Sequence, residues 1–168
     1  MILILQLRSE LFMKGYWPIY HRKEDRLIYA FVSPVDKICY VGHCKKDSLR
    51  ETYRHHTKGR RYCTQRFMMA VQPHRPCVFV LEELPNITIA KAYRYVLVWI
   101  KALMDDGYVS YNYPTIIDQT KDLLWETKLL YQQRKGIPLT DLMSCEKCPV
   151  RVYKKAECPF CKVKEQEV

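Results

Sequence analysis

Residues 27–56 read LIYAFVSPVDKICYVGHCKKDSLRETYRHH, and the fold is decided here. Two short apolar runs, Leu27–Val32 and Ile38–Val41, flank the turn-forming Ser33-Pro34-Val35-Asp36-Lys37. Both runs are rich in β-branched and aromatic residues, so they predict a β-hairpin. Gly42 ends the second strand, and Asp47 or Ser48 can cap a following helix that carries Arg50, Arg54, His55 and His56. Tyr29 and Tyr40 therefore sit on paired strands, with guanidinium and imidazole groups on the next element. Such a set suits a phosphodiester backbone, because cations hold phosphate and a phenol or imidazole hands over a proton. For the tyrosines the plain alternative is an aromatic pair that stabilises the hairpin.

These residues resemble the GIY-YIG endonuclease family. Ile28-Tyr29 matches the end of the first motif, with Leu27 where the family usually has Gly, and Tyr40-Val41-Gly42 matches the second. Arg50 falls where the family carries its catalytic Arg, Arg54 stands where a His often follows, and His55 and His56 lie beside it. The resemblance runs from about Leu27 to Asn112, an Asn that corresponds to one commonly near the family's site. It implies an α+β domain, a small three-stranded antiparallel sheet flanked by helices. It also implies hydrolysis of DNA with Mg or Mn, in which Tyr29 or Tyr40 activates water, His55 or His56 relays the proton and Arg50 stabilises the developing charge. The family's metal-binding Glu falls at Val96, which offers no oxygen ligand. Glu82 and Glu83 are the nearest carboxylates in the chain, and a strand-end charge pair is the better reading of them.

Working outward, 168 residues suit one domain with an appendage, and the formal charge of +10 favours an anionic partner, nucleic acid ahead of a membrane surface. The positive charge is concentrated. Lys45, Lys46, Arg50, Arg54, Lys58, Arg60, Arg61 and Arg66 crowd one stretch, interleaved with Tyr53, Tyr62 and Phe67. Cations that track a backbone, beside rings with flat faces, are what a nucleic-acid groove needs. A solvated helix face is the bland alternative.

Residues 1–26 form an N-terminal extension expected to pack on the core. Its apolar opening lacks a basic leader region and is too short to span a bilayer. The GIY-YIG-like domain covers 27–113. Within it Cys77–Leu84 reads as a buried third strand, Pro85–Thr88 as a turn with Thr88 as N-cap, and Ile89–Met104 as a helix packed on the sheet. Residues 114–140 form a helix and linker, with an amphipathic helix over Asp118–Arg134 whose apolar side is Leu123, Leu124, Trp125 and Leu130, closed by Gly136 and Pro138.

The tail, 141–168, carries Cys145-Glu-Lys-Cys148 and Cys158-Pro-Phe-Cys161. Two CxxC pairs at this spacing supply four thiolates for one tetrahedral structural zinc, in a ribbon or knuckle. Without a leader, metal is favoured over disulfides, and the protein is expected to be intracellular. Cys39 and Cys77 read as small buried hydrophobes. Cys44 and Cys63, near His43, His55, His56 and His74, make a second metal site or a nucleophile conceivable, with no fixed spacing behind either.

Three functions fit: a GIY-YIG-type DNA endonuclease, which the motif favours; a degenerate member of that fold that binds nucleic acid without cutting; and a zinc-stabilised adaptor that meets an acidic protein, with the tail as a possible protein contact.

Overall fold

The computed structural model describes residues 21–33, 36–58, 62–71, 77–137, 139, 143–144 and 150–152. Its centre is strand β1 (Lys23–Ser33), paired antiparallel with β2 (Ile38–Lys45) on one side and with β3 (Cys77–Thr88) on the other. Every residue of β1 from Arg26 to Ser33 is buried, as a strand with neighbours on both edges and layers on both faces must be. Helix α1 (Leu49–Thr57) follows β2 through a 3-10 turn at Lys46–Ser48, and α2 (Tyr62–Ala70) follows α1. Helix α3 (Ile89–Asp105) leaves β3 directly, then come β4 (Val109–Ser110), α4 (Pro114–Gln119) and α5 (Trp125–Arg134). Two short strands, β5 (Met143–Ser144) and β6 (Val150–Val152), end the described chain.

The strand alternation sorts side chains into two layers. Ile28, Ala30, Val32, Val41, Phe79 and Leu81 face α3 and form one core with Val96, Trp99, Ile100 and Leu103. Leu27, Tyr29, Phe31, Val78 and Val80 form the other with Leu49 of α1 and Phe67 of α2. The architecture is α+β. The expected antiparallel triplet is present as β2-β1-β3, but the sheet is larger and mixed: its order is β4-β2-β1-β3-β6-β5, with β4 parallel to β2 and β6 parallel to β3. These additions are too short to show a period. They form because the outer backbone groups of β2 and β3 need partners; Val109 N donates to Lys37 O (2.8 Å) and Tyr111 N to Cys39 O (2.8 Å).

Several element boundaries differ from the sequence expectation. Strand β2 does not end at Gly42 but runs on to Lys45, because His43, Cys44 and Lys45 still pair with Ile28, Leu27 and Arg26. Strand β1 begins at Lys23 rather than Leu27, because its polar start is satisfied by ion pairs of Glu24 with Arg22 (3.2 Å), Arg26 (3.1 Å) and Lys45 (3.0 Å). Strand β3 runs through Pro85–Thr88 instead of turning there. Asn86 takes the kink in a left-handed conformation (φ 50°), and its N–H donates to Asp25 Oδ1 (2.9 Å). The single helix expected over Asp118–Arg134 is two. Helix α4 closes at Thr120, whose N–H and hydroxyl both turn back to Ile117 O (3.0 and 2.7 Å), and α5 starts afresh at Trp125. As a result Leu123 is buried, whereas Leu124 and Trp125 stand 67 % and 74 % exposed, against the apolar side assigned to them. Thr88 caps α3 as expected, its hydroxyl accepting from Lys91 N (3.3 Å). Ser48 occupies the N-cap position of α1, but its hydroxyl donates to Lys45 O (3.1 Å). Among the described residues no helix is long and apolar enough to cross a membrane.

Candidate nucleic-acid interface

The two motif strands meet in a way that explains the glycine of the second. In the β1–β2 register Tyr29 lies opposite Gly42, and Phe31 opposite Tyr40. A Cβ on Gly42 would sit 2.5 Å from Tyr29 Oη and 2.7 Å from Cζ, so the phenol end occupies the space a side chain at this residue would need. Tyr40 is stacked on its partner Phe31 at 6.1 Å. Both tyrosines point into the α1–α2 layer.

Helix α1 closes over them. Leu49, Tyr53 and His56, at positions i, i+4 and i+7, share the inward face. Phe31 is surrounded by rings: Tyr29 at 5.1 Å, His56 at 5.2 Å, Tyr53 at 5.7 Å and Phe67 at 6.4 Å. The polar tip of Tyr29 finds its partner inside this cluster. Its Oη lies 2.9 Å from His56 Nε2, and Tyr40's ring is 5.5 Å from the imidazole. With Nε2 unprotonated the phenol donates; a proton on Nε2 reverses the bond. The contact is competent for proton exchange, yet both residues are only 2 % exposed.

The remaining sequence-selected residues divide by location. Arg50, Arg54 and Lys58 lie at i, i+4 and i+8 on the outer face of α1 and just past its end, and all three are exposed. His55 turns outward and contacts Glu51 Oε1 (3.3 Å), so of the adjacent pair His56 alone approaches the tyrosines. Lys45 is paired with Glu24 (3.0 Å) and Lys46 with Glu83 (2.7 Å). Arg66, exposed on α2, lies over the Tyr111 ring at 5.9 Å. Arg60, Arg61, His74 and the four tail cysteines lie outside the described residues, as do the side chains of Cys63 and Cys77.

Asn112 does more than lie nearby. Its Oδ1 accepts from Val41 N (3.0 Å) and its Nδ2 donates to Val41 O (2.8 Å), so one side-chain amide grips the backbone between Tyr40 and Gly42. Sequence reasoning placed an Asn here by resemblance and did not foresee the grip. The pairing of Arg26 with His43 was also unforeseen. Arg26 is 6 % exposed and donates through Nη1 to His43 Nδ1 (3.1 Å). Burial, together with the neighbouring guanidinium, pushes His43 down to about 4. In the sequence Arg26 merely ends the charged run His21–Arg26, which gives no sign of burial.

The position and the carboxylates weighed for a catalytic metal are engaged elsewhere. Val96 belongs to the α3 core, on the side of the sheet opposite Tyr29. Glu82 is not the strand-end charge expected for it: its carboxylate accepts from Trp99 Nε1 (2.9 Å) and pairs with Arg134, which ties β3 to α3 and α5. Glu83 is held by Lys46. Among the described residues no three His, Cys, Asp or Glu side chains come together as metal donors. Cys44 is buried and its thiol is pushed up to about 12, so it stays protonated and unreactive; buried Cys39 is likewise raised to about 12.

Neither known protein families, nor curated proteins, nor solved structures yield a match to this chain. The family resemblance rests on the motif residues alone.

Proposed function

We propose that this chain binds nucleic acid through the outer face of α1, on a GIY-YIG-like scaffold whose inner tyrosine–histidine pair now serves packing. The observation that supports the reading is the division of α1. Leu49, Tyr53 and His56 are turned into the aromatic layer, while Arg50, Arg54 and Lys58 form an exposed cationic row. A row at this spacing follows one strand of phosphates, and with the overall charge of +10 it draws a polyanion from solution. DNA is the expected partner. Zinc in the tail serves structure, since four thiolates leave no open coordination position.

Duplex binding followed by fluorescence anisotropy against salt tests this. The native chain should lose affinity steeply as salt rises. Arg50→Ala and Arg54→Ala should each flatten the log–log slope by about 0.9, the share of one phosphate contact. Binding that ignores salt would overturn the proposal.

A second reading, metal-dependent phosphodiester hydrolysis, is favoured by one observation, the 2.9 Å contact between Tyr29 Oη and His56 Nε2. Its test is nicking of supercoiled plasmid with Mg²⁺ or Mn²⁺. Nicking by native protein that Tyr29→Phe abolishes would establish the enzyme; an inert native protein removes it.

A further inference from the structure

We infer that the surface proposed above to bind nucleic acid takes an unpaired strand, whose bases stack on Tyr40, Tyr111 and the Arg66 guanidinium; the inference rests on that proposal and names its substrate class. The ground is how the aromatic layer meets the surface. Phe31 and Phe67 are fully buried in it. Among the described residues its half-buried margin is Tyr40, Tyr53, Tyr111 and Met68, so the layer ends outward mainly in rings.

Two of these rings are neighbours. Strand β4 runs parallel to β2 with Ser110 beside Cys39, Tyr111 N donates to Cys39 O (2.8 Å), and the Asn112 amide is fixed on Val41. Tyr40 and Tyr111 therefore stand side by side on the α1–α2 face. Each is backed by a buried ring. Tyr40 is stacked on Phe31 at 6.1 Å, and Tyr111 meets Phe67 edge-on at 6.0 Å. Arg66 lies over the Tyr111 ring at 5.9 Å and is exposed, so the series Phe67, Tyr111, Arg66 ends at the surface in a flat cation. The core and the Asn112 grip hold these groups in place beforehand, which lowers the entropy lost on binding.

A duplex gains little from such a surface. Its bases are stacked on one another, and it offers the protein phosphates and groove edges. In an unpaired strand the base faces are open, and each base that stacks on a ring or a guanidinium plane adds affinity whatever its identity. Tyr53 joins the ring margin to the cationic row, since it stands between Arg50 and Arg54 in α1. Phosphates on the row and bases on the rings are the two kinds of contact that a single strand needs.

Anisotropy of the full chain with a fluorescent oligothymidylate, and with a duplex of the same length, tests this. The single strand should bind about tenfold more tightly. The gap should widen as salt rises, because each phosphate contact with a duplex carries the steeper salt dependence. Tyr111→Leu, which keeps an apolar side chain against Phe67, should bring the gap to within about twofold. A second readout needs no variant. An oligothymidylate carrying 5-iodouracil, which couples under ultraviolet light to a ring stacked on it, should mark the peptide of Tyr40 or of Tyr111 in the native chain. Steep salt dependence with equal affinity for the two nucleic acids would overturn the inference and leave the binding proposal standing, as would coupling confined to other peptides. Binding of both that ignores salt would overturn the two together.

Discussion

The two faces of the sheet are built from different materials. The buried part of the α3 face is mainly aliphatic, with Phe79 and Trp99 as its rings, and polar contacts lie at the margin where Glu82 meets Trp99 and Arg134. The α1–α2 face is aromatic, and it carries a buried phenol–imidazole contact and a cationic rim. Among the described residues the buried phenol–imidazole contact therefore belongs to one layer only. A carboxylate added at position 96 would enter the other, so the missing acid is a matter of layer as well as of residue type.

The strongest way to break that contrast is Val96→Glu. The site is 3 % exposed among Trp99, Ile100 and Leu103. Denaturant unfolding should show a loss of about 4 kcal/mol, the cost of a buried group without partners. Plasmid nicking should not appear. A variant that is both stable and active would show that the two layers communicate.

Gly42→Ala probes the aromatic side. The added methyl meets the Tyr29 ring, which is packed among Phe31 and His56 and has little room to retreat. A loss of roughly 2–3 kcal/mol is expected from overpacking. Combining it with Tyr29→Ala should recover part of that loss, and strictly additive effects would rule out the contact as its cause.

The smallest effect is acid sensitivity at His43. Its folded value of about 4 lies below the ordinary 6.5, so the unfolded chain binds the extra proton first. Stability from this group is fully present above about pH 7, falls as pH drops from 6.5 towards 4, and is level below that. Because water still reaches the half-buried ring, the amplitude should be on the order of 2 kcal/mol. Urea midpoints for the native chain and His43→Gln, compared across this window, should converge at low pH. A constant gap between them would mean the imidazole never titrates differently in the folded state.

Much of the frame was legible in residues 27–56 and 77–104, because β-branched and aromatic runs and helix starts are local signals. The hairpin, the helix with Arg50 on it, the third strand and the Thr88 cap all follow from them. What escaped was decided by long-range partners. The strand start at Lys23 depends on Lys45, the kink at Asn86 on Asp25, and the roles of Glu82 and Asn112 on residues 17 and 71 positions away. Within the candidate site, spacing alone put Tyr29 and Tyr40 on one face. Which of His55 and His56 turns inward depends on a helix phase that only packing fixes. Nor does the sequence tell that Tyr29 is covered, since α1 lies directly on it.

Asn112 imitates a neighbouring strand. By occupying both the amide and the carbonyl of Val41, it ends the ladder two residues beyond the point where β4 stops. A foreign chain arriving along that border would find its docking points already taken. One carboxamide thus acts as a seal against lateral growth of the sheet at that point.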